Sequence, residues 1–142
     1  MGRRREHIVA AAERVAGFLT NFRLSPIIET APVGAGLEND PPYLNAVGVG
    51  ESDLSPRELL DRLQAIENRA GRTRPYPGAP RTLDLDLILA GDAVVDEEGL
   101  QVPHPRFRER SFVLRPLVAL EPDLRDPATG QTMRELLARL TR

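Results

Sequence analysis

Apolar residues near the amino terminus recur every three or four positions, as they do along the buried face of a helix. These residues are Ile8, Ala12, Val15, Leu19 and Phe22. A second apolar stripe follows residues typical of a helix start, with Ser55 as N-cap and Glu58 three positions later. Gly71 ends this second stripe. The pattern therefore predicts two amphipathic helices in the first half of the chain.

Two more helices are predicted towards the carboxyl terminus. Residues 112–120 have a helical pattern that Pro116 disturbs, because proline lacks a backbone N–H. A final helix over residues 133–140 is preceded by Thr132 and carries Glu135, and these two residues form the sequence of a capping box.

Strands are predicted between these helices. Residues 24–29 and 43–49 have the composition of strands, and the breakers between them predict a long mobile loop over residues 30–42. Leucine occupies every second position from 83 to 89, which is typical of a strand with one apolar face. Residues 94–95 and 100–102 predict a minor hairpin.

The polar face of the 83–89 strand bears two carboxylates, Asp84 and Asp86. Residues two apart on a strand point to the same side, with Cα atoms roughly 6.5 to 7 Å apart. Carboxylates at that separation suit one or two Mg²⁺ ions that also bind phosphate oxygens. An isolated Asp-Leu-Asp is more often the solvated face of an edge strand, so the pair alone leaves both interpretations open.

Cations cluster just before these aspartates. Residues 69–81 contain Arg69, Arg72, Arg74 and Arg81 with no acidic residue, and a metal-bound polyphosphate needs such cations on its other oxygens. The sequence has no Gly-rich Walker loop, so side chains would have to hold the phosphates. His104 and Arg110 are further candidates, although a solvated loop explains any of these residues taken singly.

A second group of residues has the chemistry to bind a flat heterocycle. Tyr43 and Phe112 offer aromatic faces, and Asn45 follows Tyr43 on the same side of its strand. Core packing is the simpler explanation for both aromatics. Gln64 and Glu67 lie one turn apart on the polar side of the second helix, where a solvated face is the default.

Composition narrows the class of protein. The chain has 142 residues, 41% hydrophobic and 28% charged, which predicts a single globular domain over residues 1–142. We expect a cytoplasmic protein, because the sequence has no secretory or membrane-spanning apolar run. The absence of cysteine leaves oxygen ligands for any metal, and a net charge of −2 argues against nucleic acid as a partner.

Several segments together resemble one enzyme family, the 6-hydroxymethyl-7,8-dihydropterin pyrophosphokinases. The resemblance rests on Pro80-Arg81-Thr82-Leu83-Asp84-Leu85-Asp86-Leu87, Val102-Pro103-His104-Pro105-Arg106 and Arg110-Ser111-Phe112-Val113-Leu114. Tyr43-Leu44-Asn45-Ala46 and Gln64-Ala65-Ile66-Glu67 are similar to further family segments, so the resemblance covers nearly the whole chain from Arg4 onward.

This resemblance implies an activity and a set of roles. The enzyme would transfer pyrophosphate from ATP to the pterin alcohol in folate biosynthesis, giving AMP. Asp84 and Asp86 would bind two Mg²⁺ ions and act in catalysis with Arg72 and Arg81. The nucleotide would be held by Gln64, Glu67, Arg72, Arg74, Arg81, His104 and Arg110. The pterin would be held by Thr30, Tyr43, Asn45 and Phe112, with its ring between the two aromatics.

The resemblance also implies an α+β fold, a ferredoxin-like α/β sandwich with a βαββαβ core and added C-terminal helices. The family opens on a strand and a Gly-Ser-Asn-Leu-Gly turn, whereas this chain starts at Met1-Gly2, so we expect the first strand to be absent. Exposed sheet edges would then favour self-association. Two alternatives follow: a weak or inactive pterin- or nucleotide-binding remnant, and a small interaction module that kept the motifs.

Overall fold

Helices and short antiparallel strands alternate in the computed structural model, which describes residues 2–30, 43–71 and 84–141. The elements are, in chain order, α1 (Gly2–Ala16), β1 (Thr20–Leu24), β2 (Ile28–Thr30), β3 (Tyr43–Asn45), β4 (Gly48–Glu51), α2 (Pro56–Gly71), β5 (Val95–Glu97), β6 (Leu100–Val102), α3 (Ser111–Leu120) and α4 (Met133–Leu140). A single 3₁₀ turn, Phe107–Glu109, precedes α3. The described strands form three two-stranded antiparallel sheets, β1–β4, β2–β3 and β5–β6. This confirms a mixed α+β fold.

Helix α1 is shorter than its apolar spacing predicts. It ends at Ala16, where the N–H of Gly17 donates to the carbonyl of Arg14 at 3.1 Å in a tightened last turn. The predicted stripe continues to Phe22, but Phe22 lies in β1. The prediction was wrong here because residues of a following strand happened to continue the three-and-four spacing.

Each of the two strands predicted for this region is divided. The predicted strand 24–29 breaks around Pro26, which cannot donate to a ladder, and 43–49 breaks opposite it at Val47. Ser25 bridges the gap: its N–H donates to the carbonyl of Val47 at 2.8 Å, and its Oγ accepts from the N–H of Val47 at 2.9 Å. Ser25 is 3% exposed, so the side chain replaces a ladder contact inside the protein. The two small sheets thereby form one bent hairpin.

The strand predicted at 83–89 is the main difference from expectation. Residues 84–90 do not form a strand, and two of their backbone groups bond to partners outside any strand. The N–H of Leu85 donates to Oε2 of Glu67 at 2.6 Å, and the carbonyl of Ile88 accepts from the N–H of His104 at 2.8 Å. The alternating burial still holds at its start, since Asp84 and Asp86 are exposed and Leu85 is half-buried.

The helix starts that were predicted from capping residues are confirmed. Ser55 and Glu58 exchange hydrogen bonds of 3.1 and 3.2 Å before α2. Thr132 and Glu135 form the complete capping box of α4. The predicted hairpin is β5–β6, and Pro116 lies inside α3. No helix among the described residues is long and apolar enough to span a membrane.

The hydrophobic core is concentrated at the carboxyl-terminal side. Its cluster of buried residues consists of Phe107, Val113, Leu114, Leu117, Met133 and Leu136. On α1 and α2 the buried apolar side chains are Ala11, Leu63 and Ile66, and other apolar residues of these helices border a cavity. This cavity lies between the two helices and residues 84–91, so that segment forms one of its walls.

Candidate active site

A cleft of about 660 Å³ lies between α1, α2, the bent hairpin and residues 84–91. Its walls are mostly apolar, with Leu and Val side chains from each of these elements. Five of the residues singled out from the sequence line this main cleft, namely Asn45, Asp84, Asp86, Arg110 and Phe112. The fold therefore brings together residues that are up to 67 positions apart in the chain. A concave apolar site with a few convergent polar groups is the usual form of a small-molecule site.

The two aspartates stand on an accessible surface of the main cleft. Asp84 and Asp86 are both exposed on either side of half-buried Leu85. No group of three or more His, Cys, Asp or Glu side chains arranged to hold a metal is found within the described ranges. Two carboxylates nevertheless fit Mg²⁺, because this ion commonly binds one or two protein carboxylates together with waters and substrate phosphates.

Arg110, at the start of α3, lies close to Asp86. Its Nη1 lies 4.0 Å from Oδ2 of Asp86, and their side chains are 30% and 54% exposed. The guanidinium also lies over the ring of Phe112, 5.7 Å from the centroid. Arg110 thus contacts both a carboxylate and an aromatic ring, and its remaining N–H groups suit an anion placed beside Asp86.

His104 lines a second cavity together with Asp86. A side cavity of about 610 Å³ is lined by His104, Asp86 and part of the β5–β6 hairpin, so Asp86 borders both cavities. Burial lowers the pKa of His104, with help from Arg110 and Arg106 and against the opposing effect of Asp86. Its Nδ1 accepts the N–H of Arg106 at 3.1 Å, so in the neutral ring the proton is on Nε2. His104 can therefore act as a neutral hydrogen-bond donor.

The side chain of Glu67 contacts the backbone of the segment that carries the two aspartates. Its carboxylate accepts the N–H of Leu85, the residue between the two aspartates, at 2.6 Å. Gln64, one turn earlier on α2, is exposed and lines neither cavity. The structure therefore brings Glu67 to the aspartate segment and does not bring Gln64 there.

The residues expected to bind a flat ring are found in part. Asn45 and Phe112 both line the main cleft and are half-buried. Phe112 also packs against the core cluster, so core packing and ring binding both apply to it. For Thr30 and Tyr43 the structure gives backbone pairing across β2 and β3. Arg72, Arg74 and Arg81, together with the predicted loop 30–42, lie outside the described residues.

Two features of the site were not found from the sequence. Asp96, Glu97 and Glu98 of the β5–β6 hairpin line the side cavity, although their sequence reads as an ordinary polar turn. Asp126 is fully buried and is bonded to Arg108, which lies between His104 and Arg110 in the chain. A buried carboxylate has no local sequence signal, because its burial depends on packing between distant segments.

Comparison with known proteins identifies the family. The family model of 7,8-dihydro-6-hydroxymethylpterin-pyrophosphokinase (HPPK) matches residues 1–122. A Pseudomonas aeruginosa protein named 2-amino-4-hydroxy-6-hydroxymethyldihydropteridine pyrophosphokinase is 44% identical over 115 residues, covering 81% of this chain and 69% of that protein. A Haemophilus influenzae protein of the same name is 39% identical over 130 residues, covering 89% and 79%.

Some relatives are much longer than the matched region. The folic acid synthesis protein fol1 of Schizosaccharomyces pombe is 43% identical over 117 residues, which cover 82% of this chain and 16% of that protein. A Synechocystis relative is also named as a pyrophosphokinase, and the match spans 50% of the length of that protein. The family model nevertheless covers most of the chain, so this chain belongs to the 7,8-dihydro-6-hydroxymethylpterin-pyrophosphokinase family.

Proposed function

We propose that this chain transfers pyrophosphate from ATP to 6-hydroxymethyl-7,8-dihydropterin in folate biosynthesis, giving AMP and the pterin diphosphate. The observation that carries the proposal is the main cleft, which gathers Asn45, Asp84, Asp86, Arg110 and Phe112. Relatives of similar length are named for this activity. The cleft is compatible with this reaction, because it combines two carboxylates that suit Mg²⁺ with an arginine that suits an anion.

Asp84 and Asp86 would hold Mg²⁺, and we propose two ions there. The ions would neutralise the negative charge of the triphosphate and orient it. Arg110, which lies 4.0 Å from Asp86, and the neutral donor His104, which lines the side cavity with Asp86, would contact phosphate oxygens. We propose that the phosphates are also contacted by Arg72, Arg74 and Arg81, because these arginines precede the aspartates closely in the sequence.

The pterin would lie in the main cleft beside Phe112. Its flat ring suits an aromatic face, and the amide of Asn45 offers a donor and an acceptor to the ring edge. Thr30 and Tyr43 are opposite each other in the β2–β3 ladder, which begins at the pairing of Asn45 with Ile28. Thr30, Tyr43 and Asn45 thus lie in one short ladder, which supports a shared pterin site for the three residues.

The reaction then follows from positioning and charge neutralisation. The hydroxymethyl oxygen attacks the β-phosphorus, forming a new O–P bond, while the bond from that phosphorus to the oxygen bridging the α-phosphate breaks. AMP leaves with that oxygen, and the hydroxyl proton is lost to solvent. Glu67 would hold the metal-binding segment in place through Leu85, and a nucleotide contact from Gln64 has no support from the cavities described.

We also propose that the mixed helices and strands belong to a ferredoxin-like sandwich, with residues 84–90 as a strand once a partner strand adjoins them. The alternating burial of Asp84, Leu85 and Asp86 supports this arrangement. We propose that the chain self-associates through this open sheet edge. We also propose a cytoplasmic location.

The rival functions have less support. Neither the fold nor the relatives favour an inactive remnant or a simple interaction module. A binding module has no need for two exposed carboxylates, one of them 4.0 Å from an arginine that lines the same cleft. Turnover separates the working enzyme from both alternatives.

The test is AMP formation from ATP and the pterin alcohol with added Mg²⁺. We expect Asp84→Asn and Asp86→Asn to reduce the rate at least about 100-fold, because each removes a charged metal ligand. Asp92→Asn makes the same change at an exposed aspartate in the following turn and should keep full activity. Normal turnover in either active-site variant, or no pterin-dependent AMP from the wild type, would overturn the proposal.

A further inference from the structure

Asp126 is the most deeply buried charged residue in the described part of the chain, with an exposed fraction of 0%. Four donors surround its carboxylate. Oδ2 accepts from Nε of Arg108 at 2.5 Å and from Oγ1 of Thr129 at 2.8 Å. Oδ1 accepts from Nη2 of Arg108 and from the N–H of Ala128, each at 3.0 Å. Both oxygens are thus satisfied by a two-pronged contact with Arg108 and by the turn that follows Asp126.

Arg108 lies in the middle of the loop that carries His104 and Arg110. Phe107, its neighbour in the 3₁₀ turn, is fully buried in the core cluster. The carbonyl of Phe107 accepts the N–H of Arg110 at 3.3 Å. The loop is therefore fixed at its centre by an apolar residue and an ion pair, while on either side Arg110 lies 4.0 Å from Asp86 and His104 lines the side cavity with Asp86.

We propose that Asp126 is a positioning residue for nucleotide binding, acting through Arg108 on the loop 104–110. This inference rests on the proposed function, because it takes His104 and Arg110 as phosphate-binding groups. Asp126 touches neither cavity, so its effect on the nucleotide must pass through the loop.

Geometry explains why the ion pair acts on binding as well as on stability. Phe107 alone fixes the depth of the loop but not its rotation, whereas two parallel N–H···O bonds fix the direction of the Arg108 side chain. The backbone continues directly from Arg108 to Arg110, so a rotation at one moves the other. A misplacement of about 1 Å caused by a distant mutation can cost about 100-fold in rate, and the same misalignment of phosphate-binding groups weakens nucleotide binding.

The experiment is calorimetry of Asp126→Asn with a non-hydrolysable ATP analogue plus Mg²⁺ and, separately, with 6-hydroxymethylpterin. We expect the Kd of the nucleotide to rise about 10-fold or more, with the Kd of the pterin within about twofold of wild type. Asp123→Asn is the matched control, because Asp123 is 82% exposed and pairs with Arg134 at 3.6 Å on the surface. It should change neither affinity.

A second variant covers the case in which Asp126→Asn does not fold. Arg108→Lys keeps the charge but loses the two-pronged contact, and it should weaken the nucleotide selectively. Where both single variants fold, the double variant should lose no more affinity than Asp126→Asn alone, because the two side chains act as one unit.

Leu137→Ala separates positioning from general loss of stability. It removes packing against the core cluster without removing a polar contact to the loop. If it weakens nucleotide binding as much as Asp126→Asn at equal loss of melting temperature, or if Asp126→Asn weakens both ligands equally, the inference is overturned. If the wild type binds the pterin but no nucleotide, the proposed function fails first and this inference fails with it.

Discussion

Glu67 gives a prediction that separates two roles, because the resemblance assigns it to the nucleotide and the structure bonds it to the backbone of Leu85 at 2.6 Å. The change is Glu67→Ala. A hydrogen bond to a charged group contributes about 1.5 to 3 kcal/mol. Both residues are half-buried, so water replaces part of this bond and the lower end applies. We expect a loss of about 1.5 kcal/mol in the free energy of unfolding, measured by urea denaturation.

The same change should loosen the segment that carries Asp84 and Asp86. We expect the Mg²⁺ concentration that gives half-maximal AMP formation to rise by about 10-fold, the equivalent of 1.4 kcal/mol. The KM for ATP at saturating Mg²⁺ should change much less. Initial rates measured over a grid of Mg²⁺ and ATP concentrations separate the two constants.

Two matched variants complete this test. Gln64→Ala, one exposed turn away on α2, should leave stability and Mg²⁺ dependence unchanged. Glu67→Gln keeps an oxygen acceptor for the N–H of Leu85 and should recover part of both losses. A role for Glu67 in holding the aspartate segment is refuted if Glu67→Ala is as stable as Gln64→Ala, or if it raises the KM for ATP while its Mg²⁺ dependence stays normal.

Three further predictions concern other parts of the molecule. Phe112→Ala should weaken pterin binding more than nucleotide binding in calorimetry, by about 0.5 to 1.5 kcal/mol beyond lost burial, and equal losses would count against the pterin site. Thr132→Ala should lower the free energy of unfolding by about 1 kcal/mol through loss of the α4 N-cap, with kcat unchanged; an unchanged urea midpoint would contradict the cap. Fusing a strand ending in Gly-Ser-Asn to the amino terminus should raise the melting temperature by pairing with residues 84–90, whereas identical melting would contradict a sheet that continues there.

Local sequence signals predicted the helix starts because the interactions involved span only three residues. Ser55 and Thr132 form the expected caps, and the β5–β6 hairpin has its expected position. The paired aspartates and their exposure on either side of Leu85 also followed from the alternation of leucine with polar residues.

A misleading local spacing and two non-local contacts account for what the sequence did not predict. The end of α1 was missed because Leu19 and Phe22 continued its spacing, although Gly17 was the available stop signal. The break at Pro26 is stabilised by Ser25, a contact across 22 residues with Val47. Burial of Asp126 likewise depends on Arg108 18 positions away, and no periodicity reveals such a pair.

The fate of the β-phosphorus of ATP tests the central claim most directly. The wild-type protein is incubated with Mg²⁺, 6-hydroxymethyl-7,8-dihydropterin and ATP labelled at that phosphorus, and the products are separated and identified. Pyrophosphoryl transfer predicts that the label appears in a pterin diphosphate, in step with unlabelled AMP and only when the pterin is present. Label retained in ADP beside a pterin monophosphate, or no labelled pterin at all, would contradict the account.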